Sequence, residues 1–474
     1  MITLRPYQFK AVEDIRGAFR EGAKSPLFVL ATGGGKTCIF SHITHSAMER
    51  GRRVTILVHR IELIDQIVKA LRAADVEPDV IAAGYLRHSS PVAVASVQTL
   101  ARRIDRVSAP DLIVIDEAHH VAKGNTWAQI LEAWPQAKRL GVTATPVRQD
   151  GRGLGEHFDQ LIVGPQVSEL IAMGYLTKPR VFAPPTVDTS GLHQRMGEYV
   201  QAEAEALVDR PSVTGDALEH YRRLADGKPA IVFCTSVEHA EHVAQSFRDG
   251  GYQAVSLNGG TDREVRRMAV KDFRTGALRV MASCDLFSEG FDVEGIEVGL
   301  LLRPTASFGL FLQQVGRCLR IAPGKTEALI LDHSANCLRF GLPTDPREWK
   351  LTYDETTGKK KEPEIKARVC SSCFAASSAR AKVCANCGVP FPVEPREVEQ
   401  RKGNLEELTP EEMAQRMAKL HASREVGMST SLAQLEEIGR KRGHKPGWAM
   451  HVWEAKQAAQ AKRAQKAAPA PVNQ

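Results

Sequence analysis

The sequence PLFVLATGGGKT, residues 26–37, joins a short apolar run to a turn with three consecutive glycines, and a helical pattern follows it. A continuous apolar run of this length is typical of a strand buried on both faces of a parallel sheet. Glycines allow backbone N–H groups to approach phosphate oxygens, and the N-terminus of the following helix favours negative charge. The stretch therefore predicts a strand–turn–helix unit of an α/β fold, with a phosphate site at the turn.

Similar apolar runs recur along the chain at intervals long enough for a helix. Five lie in the first third, at residues 26–31, 54–58, 92–96, 112–115 and 140–143, and five more lie at residues 230–234, 254–257, 279–282, 298–302 and 328–331. Strands that alternate with helical segments are typical of parallel sheets covered by helices. The two series predict two α/β domains of similar size, and one large sheet is the alternative.

The composition is that of an ordinary globular protein. The chain has 474 residues, of which 43% are hydrophobic and 25% charged, and at ~150 residues per domain its length corresponds to about three domains. These values exclude the collagen-like, wholly disordered and disulfide-scaffold classes. No apolar run approaches the ~18 residues of a membrane span, and the N-terminus lacks the apolar core of a signal peptide. We therefore expect a cytoplasmic protein without a membrane partner.

Changes in pattern divide the chain into five parts. We expect α/β domains at residues 1–166 and 167–345, the second beginning with a connecting segment at 167–228, then a charged linker at 346–369, a four-cysteine module at 370–390 and a helical, basic, partly disordered tail at 391–474. The net charge is +7, and residues 439–474 carry eight basic residues and one acidic residue, so the whole surplus lies in the tail. A basic tail is typical of nucleic-acid contact, and a solvated helix is the alternative.

The turn after the first strand has the residue types that bind a nucleoside triphosphate. We predict that Lys36 reaches the β- and γ-phosphates and that the Thr37 hydroxyl holds Mg²⁺. The usual pattern has a glycine where this chain has Leu30, so the match is incomplete, and a flexible glycine-rich loop is the alternative. The other residues of the turn would surround the phosphates: Thr32, Gly33, Gly34 and Gly35.

A second apolar run ends in two acids, in the sequence DLIVIDEAHH at residues 111–120. In open α/β sheets ligands bind beyond the carboxyl ends of the strands, which is where Asp116 and Glu117 are placed. We predict that Asp116 holds Mg²⁺, directly or through water, and that Glu117 polarises the attacking water. A solvated pair of capping acids is the alternative. Together with the phosphate turn, the pair predicts an enzyme that hydrolyses nucleoside triphosphates.

The order of further motifs resembles superfamily 2 of the helicases and translocases, over about residues 1–335. RPYQ at 5–8 is similar to the Q motif, DEAH at 116–119 to the box of that name, TATP at 143–146 to motif III, VHR at 58–60 to motif Ia and SVQT at 96–99 to motif Ib. The resemblance implies adenine recognition by the residues Arg5, Tyr7 and Gln8. It implies coupling of nucleotide and nucleic-acid binding by His119, Thr143 and Thr145, and contacts to a nucleic-acid backbone by His59, Arg60, Gln98 and Thr99.

The second series of strands carries the other half of this resemblance. FCTS at 233–236 lies where motif IV would, DLFSEGFD at 285–292 resembles motif V, and QQVGRCLR at 313–320 matches motif VI. The resemblance implies two RecA-like domains with ATP in the cleft between them and a nucleic-acid strand across their top. It places Gln313 in coupling, Arg317 and Arg320 as candidates for the arginine finger with Arg320 preferred, and three motif V residues beside the nucleotide: Glu289, Gly290 and Asp292. Surface charge on an amphipathic helix is the alternative for the two arginines.

The branch of the superfamily favours DNA as the partner. The DEAH box, the stretch GVTATPVRQDGRGLG at 141–155 and the glutamine-led motif VI are similar to the XPB-like DNA helicases and to phage or prophage helicases of this size. We therefore expect an ATP-dependent DNA helicase or double-strand DNA translocase, with a hinge in the connecting segment. An RNA helicase and an ATP-switched nucleic-acid clamp without unwinding are the alternatives.

Four cysteines form two C-x-x-C pairs ten residues apart, in the order Cys370, Cys373, Cys384 and Cys387. Two such pairs can close a tetrahedral site of four sulfurs, the arrangement of a structural zinc ribbon. We predict zinc, with an iron–sulfur cluster or no metal as alternatives. The module and the tail, which has two tryptophans at 448 and 453, are candidate contacts for nucleic acid or for a protein partner.

Overall fold

The computed structural model describes most of the first 352 residues, the cysteine module and parts of the tail. The described residues are 3–85, 90–148, 151–183, 188–195, 197–284, 286, 293, 295–352, 367–392, 426, 429, 431–445, 447–454 and 457. The chain divides into two compact units, Met1–Pro392 and Val393–Gln474. Among the described residues, no helix is both long and apolar enough to cross a bilayer.

The first unit begins with a seven-stranded parallel sheet. We call this sheet, together with the helices α1 to α5 given below, the first domain. Its strands are β1 Pro26–Val29, β2 Val54–Val58, β3 Asp79–Ile81, β4 Val92–Ser96, β5 Leu112–Asp116, β6 Lys138–Thr143 and β7 Gln160–Val163. Their order across the sheet is β3-β4-β2-β5-β6-β1-β7. The helices are α1 Pro6–Arg20, α2 Lys36–Glu49, α3 Ile61–Ala73, α4 Val97–Ala101 and α5 Thr126–Ala133.

A six-stranded parallel sheet follows and forms the second domain. The strands from here are β8 Lys178–Phe182, β9 Gln194–Arg195, β10 Glu198–Tyr199, β11 Ala230–Phe233, β12 Ala254–Leu257, β13 Val280–Ser283, β14 Val298–Leu301 and β15 Glu327–Asp332. The sheet order is β12-β13-β11-β14-β15-β8, and β9 and β10 form a separate hairpin. The helices are α6 Val167–Ala172, α7 Gln201–Val208, α8 Pro211–Ala225, α9 Val237–Asp249, α10 Arg263–Thr275, α11 Phe308–Cys318 and α12 Asn336–Phe340.

Every apolar run of the sequence forms a strand, and the prediction of two parallel-sheet α/β domains is confirmed. The central strands are buried along their whole length, as in the pattern of five buried residues in both β2 and β5. Both faces of such a strand are covered by helices, so the strand needs no polar alternation. For this reason a continuous apolar run is a better signal for these strands than an alternation of apolar and polar residues.

The connecting segment, which we expected to be helical and loop material, also contains a strand of the second sheet. β8 pairs in parallel with β15 at the edge of that sheet. Only the last two of its five residues, Lys178-Pro-Arg-Val-Phe182, are buried. The strand therefore lacks a continuous apolar run, and tertiary pairing rather than local sequence places it.

The cysteine module continues the edge of the second sheet. Its strands β16 Ala367–Val369 and β17 Ala376–Ser378 are antiparallel. Phe182 at the end of β8 forms an antiparallel bridge with Ala375, and the N–H of Ala183 donates to the carbonyl of Phe374 at 3.0 Å. Cys370 and Cys384 are buried in the same hydrophobic cluster as the second sheet. The module is thus joined to the second domain through backbone pairing and a shared core.

After α12 the chain runs back from the second domain to the first. We call residues 343–352 the return segment. Inward and exposed residues alternate in its second half, with Arg347, Trp349 and Leu351 partly buried, and the last two pack against the core of the first domain. Residues 346–352 therefore differ from the charged linker expected at 346–369, and residues 353–366 lie outside the described part.

The described part of the second unit contains the helix α13 Leu432–Arg442, and residues 448–454 are also helical. Ser431 begins it with a side-chain oxygen that accepts from the N–H of Gln434 at 3.4 Å, and Gly443 ends it in the left-handed conformation. Three basic residues occupy its last turn, where they face the negative end of the helix dipole. A helix in the basic tail agrees with the sequence pattern.

Candidate nucleotide site and metal centre

The glycine-rich turn lies at the carboxyl end of β1 and leads directly into α2. Gly33 and Gly35 both have positive φ angles, 85° and 84°, which residues with a Cβ rarely adopt. A Cβ on Gly35 would lie 2.3 Å from Nε2 of Gln8, so only glycine fits this contact. Nζ of Lys36 donates to the carbonyl of Leu30 at 3.4 Å. The turn thus places backbone N–H groups and the lysine ammonium around one small space.

Tyr7 and Gln8, two of the predicted adenine-binding residues, are hydrogen-bonded to this turn. The hydroxyl of Tyr7 donates to the carbonyl of Gly34 at 2.7 Å, and Nε2 of Gln8 donates to the same oxygen at 3.4 Å. Oε1 of Gln8 accepts from the N–H of Arg5 at 2.9 Å, which closes the first turn of α1. The start of α1 and the phosphate turn are therefore joined by hydrogen bonds.

Tyr175, which sequence reasoning did not single out, joins this group. Its ring centroid lies 5.1 Å from that of Tyr7, and the guanidinium of Arg5 lies 4.4 Å over its ring. Arg5 and Tyr175 line one cleft together with Gly33 and Arg320. Planar groups around a cleft can stack on a base. Tyr175 lies in the connecting segment, far from Tyr7 in sequence, so no local spacing could have linked the two.

The acidic pair stands at the carboxyl end of β5. Asp116 is buried, and its Oδ1 accepts from the N–H of Glu117 at 3.1 Å. Burial and the neighbouring Glu117 carboxylate raise the pKa of Asp116 to about 7, against the opposing effect of Lys36 and Arg317. A bound cation would favour the ionised form of this carboxyl. Carboxylate and hydroxyl oxygens such as those of Asp116 and Thr37 are hard ligands, and their chemistry fits a site for Mg²⁺.

A short series of contacts leads from the acidic pair to the second domain. Nδ1 of His119 lies 3.4 Å from a carboxylate oxygen of Glu117 and 3.0 Å from the hydroxyl of Thr143. The Thr143 hydroxyl donates to the carbonyl of Thr145 at 2.9 Å. A Cβ on Gly309 of α11 would lie 3.0 Å from the Thr145 hydroxyl. His119, Thr143 and Thr145, three of the residues predicted to couple nucleotide binding to nucleic-acid binding, are thus in contact, and Thr145 lies beside α11.

The helix α11 brings both arginine candidates to the cleft. Gln313 and Arg317 are buried. A Cβ on Gly316 would lie 2.5 Å from the Cβ of Thr32 in the phosphate turn. Arg320 follows the helix and approaches Gly33, and burial lowers the pKa of its guanidinium. Arg320 therefore lies against the turn that would hold the phosphates, and Arg317 is near enough to Asp116 to lower the pKa of that carboxyl.

The residues predicted to contact nucleic acid follow β2 and β4. The ring of His59 lies 4.3 Å from that of His120, and Nε of Arg60 donates to Nε2 of His59 at 3.2 Å. Gln98 and Thr99 belong to α4, and Gln98 accepts from the Ser96 hydroxyl at 2.9 Å. The motif V residues Glu289, Gly290 and Asp292 lie outside the described residues.

The four cysteines of the module converge. The Sγ atoms of Cys370 and Cys387 are 3.6 Å apart, as are those of Cys373 and Cys384, and all four lie within 4.8 Å of one another. A tetrahedron with metal–sulfur bonds of about 2.3 Å has edges of about 3.8 Å. The thiols therefore fit a single ion of the zinc type.

Comparisons with known proteins agree with this geometry. Residues 1–148 match the family model described as "Type III restriction enzyme, res subunit". Residues 214–322 match the model described as "Helicase conserved C-terminal domain". The first match contains the phosphate turn and the DEAH box, and the second contains motif VI.

Several relatives match over most of the chain. The 51.5 kDa protein of a Lactococcus phage is 35% identical, over 76% of this chain and 77% of that protein. The putative mitochondrial ATP-dependent helicase irc3 of Schizosaccharomyces pombe is 31% identical, over 75% of this chain and 61% of its own length. The DNA 3'-5' translocase XPB2 of Sulfurisphaera tokodaii is 24% identical, over 70% and 81%.

A solved structure shares the fold. The fragment of a putative HsdR subunit of a type I restriction enzyme from Vibrio vulnificus has a TM-score of 0.57 at 22% identity, and the match covers 72% of this chain and 66% of that one. At this level of identity the match concerns the fold alone.

Proposed function

The chain belongs to superfamily 2 of the helicases, which are nucleic-acid-dependent ATPases, and from that premise we propose that it couples ATP hydrolysis to movement along DNA. One observation supports this most directly. The phosphate turn, the Asp116–Glu117 pair, Arg317 of α11 and Arg320 just after this helix lie close together where the two domains meet. Hydrolysis at such a cleft changes the contacts between the domains, which is what a motor requires.

Each residue of the cleft has a chemical role in this proposal. Lys36 and the N–H groups of the turn bind the phosphates, and Thr37 with Asp116 holds Mg²⁺, which neutralises phosphate charge when it is bound. Glu117 orients the attacking water. Arg320 or Arg317 stabilises the negative charge that develops on the transferred phosphoryl group.

DNA is the proposed polymer, since relatives that match most of this chain include a named DNA translocase. An RNA helicase and an ATP-switched clamp are the alternatives. They differ in which polymer stimulates hydrolysis and in whether a strand is displaced.

The test is steady-state ATPase of the purified protein alone, with single-stranded DNA, with double-stranded DNA and with RNA. We expect DNA to stimulate hydrolysis. Glu117→Gln should lower kcat by at least ~100-fold, because it removes the group that orients water, while ATP binding is retained. Lys36→Ala should weaken ATP binding itself. Stimulation by RNA alone would refute the choice of DNA, and equal activity of Glu117→Gln would refute the assigned chemistry.

We also propose that Cys370, Cys373, Cys384 and Cys387 hold one structural zinc ion. The close approach of the four sulfurs supports it, since a cluster with two or four irons would divide the four thiolates among separate irons and hold them further apart. Metal analysis should give one zinc per chain, and Cys370→Ser should lose it and lower the unfolding temperature. Cys38→Ser, at a cysteine outside the cluster, is the matched control. Visible absorption typical of iron–sulfur clusters would contradict the proposal.

A further inference from the structure

The return segment is bound to the first domain by backbone contacts. The carbonyl of Leu351 accepts from the N–H of Gly155 at 2.9 Å. A Cβ on Gly153 would lie 2.1 Å from the same carbonyl, so the two backbones approach as closely as glycine allows. Trp349 and Leu351 also pack on the core of the first domain. The segment is therefore part of the first domain in its packing, although it follows the second domain in sequence.

The return segment is also hydrogen-bonded to the place where the chain first passes from the first domain to the second. Gln166 lies between β7 and α6, where the chain first leaves the first domain. Its Nε2 donates to the carbonyl of Arg347 at 3.0 Å, and its Oε1 accepts from the N–H of Arg347 at 2.8 Å. The Gln166 amide thus bonds both the N–H and the carbonyl of Arg347. It holds together the two segments by which the chain passes between the domains.

Two side chains of the return segment contact Phe308, the first residue of α11. The guanidinium of Arg347 lies 4.7 Å over the ring of Phe308, and its Nη2 donates to the carbonyls of Phe340 and Leu342 at 2.9 Å each. The ring of Trp349 lies 6.0 Å from that of Phe308. On the other side, a Cβ on Gly309 would lie 3.0 Å from the Thr145 hydroxyl, so the TATP loop passes close to the helix. The N-terminus of α11 is therefore held between the return segment and the TATP loop.

The phosphate turn, α11 and the return segment together line one apolar cavity. It is lined by Leu30 and Thr32 of the phosphate turn, Leu312 and Gly316 of α11, and Arg347 and Trp349 of the return segment. Arg317 lies in the last turn of the helix, and Arg320 lies two residues beyond its end, beside Gly33. A change at Trp349 can therefore reach the arginines through a single rigid helix.

We propose that Arg347 and Trp349 are positioning residues for hydrolysis, which hold α11 so that Arg317 and Arg320 face the phosphate turn. The proposal rests on the ATPase function proposed above. A displacement of about 1 Å at a catalytic group can cost up to ~100-fold in rate, so the effect on catalysis should exceed the effect on ATP binding.

The test compares Trp349→Ala with Trp349→Phe, which keeps an aromatic ring, and with Glu348→Ala, whose side chain is 86% exposed in the same segment. We expect Trp349→Ala to lower kcat of DNA-stimulated hydrolysis at least ~10-fold with less than ~3-fold change in the Kd for ATP. Trp349→Phe should recover most of the rate, and Glu348→Ala should match the wild type. In an Arg317→Ala/Arg320→Ala background, Trp349→Ala should cost less than ~2-fold more, because Trp349 acts through these two arginines. A full further loss in that background would overturn the proposal.

A second readout does not depend on activity. Amide hydrogen exchange of residues 308–318 should be faster in Trp349→Ala than in the wild type, and unchanged exchange would overturn the positioning role. If Trp349→Ala does not fold, Gln166→Ala, which removes both hydrogen bonds to Arg347, should show the same two effects more weakly, and its failure to show either would be decisive against the proposal. A wild type that no nucleic acid stimulates would refute the proposed function, while the exchange measurement would still decide the positioning role.

Discussion

Glu117 has a left-handed backbone conformation, with φ 51° and ψ 54°. A residue with a side chain in this region costs about 1–3 kcal/mol, and such residues persist where the surroundings require them. Here the conformation turns the chain sharply after β5, so that Asp116 accepts from the Glu117 N–H and the Glu117 carboxylate lies beside His119. The strain is therefore located at the two acids that the proposed reaction needs.

His333 is a buried histidine for which we predict a measurable effect of pH on stability. Burial, with a smaller effect from the nearby His220, lowers its pKa to about 3. An unfolded chain binds a proton at this residue below pH ~6.5, whereas the folded chain does not until pH ~3, so stability falls as the pH drops between these values. We expect this residue to reduce the free energy of unfolding of the second domain by about 2 kcal/mol from pH 7.5 to pH 5.

Urea unfolding at the two pH values checks this prediction. His333→Gln should lose less stability on acidification than the wild type. His451→Gln, at an exposed histidine of the tail, should behave like the wild type. An identical loss in His333→Gln would show that the buried imidazole is not the cause.

At the scale of elements, α11 packs directly on the phosphate turn, and Gly316 is the point of contact. A methyl group there would lie 2.5 Å from the Cβ of Thr32, so Gly316→Ala should push the helix away from the turn. We expect a loss in kcat of ~10-fold or more, since the arginines move with the helix. Gly17 of α1 has nothing within 4 Å of its Cβ position, and Gly17→Ala should keep the ATPase rate and add up to about 1 kcal/mol of stability. Equal rates in the two variants would contradict this account of the cleft.

The edge strand β8 shows how one element protects another. An exposed sheet edge can pair with other chains, and folded proteins cover or interrupt such edges. Here the cysteine module covers the end of β8 through Phe182 and Ala183. This contact gives the module a structural role in addition to any role in binding.

At the scale of the whole molecule, charge is distributed unevenly. The surplus of +7 lies in residues 439–474. Each phosphate that a cation neutralises contributes about 0.9 to the magnitude of the slope of log affinity against log salt concentration. Replacing the eight basic residues of this segment by glutamine should therefore make the slope for DNA binding shallower by at least ~1. Hydrolysis at saturating DNA should be retained. Fluorescence anisotropy with a labelled duplex at several salt concentrations measures this, and an unchanged slope would assign the tail to another role.

The sequence by itself determined the two parallel sheets, the order of the motifs and most residues of the proposed nucleotide site. These features depend on local patterns, because a fully buried strand must be apolar along its length and a phosphate turn must have glycines such as Gly33 and Gly35. The cysteine spacing likewise identified the four thiols that converge.

Only the tertiary structure decided the contacts made between distant segments. β8 has too few apolar residues to be found from its own sequence, and its place depends on pairing with β15. Tyr175 meets Tyr7 and Arg5 across the cleft, and Trp349 meets Phe308, although neither contact has a signal in local spacing. The charged residues Glu348 and Lys350 flank Trp349, and this local pattern predicts a linker, whereas the structure packs Trp349 and Leu351 on the first domain. Burial against a second surface is a property of the folded chain, and a one-dimensional pattern cannot say which surface will be there.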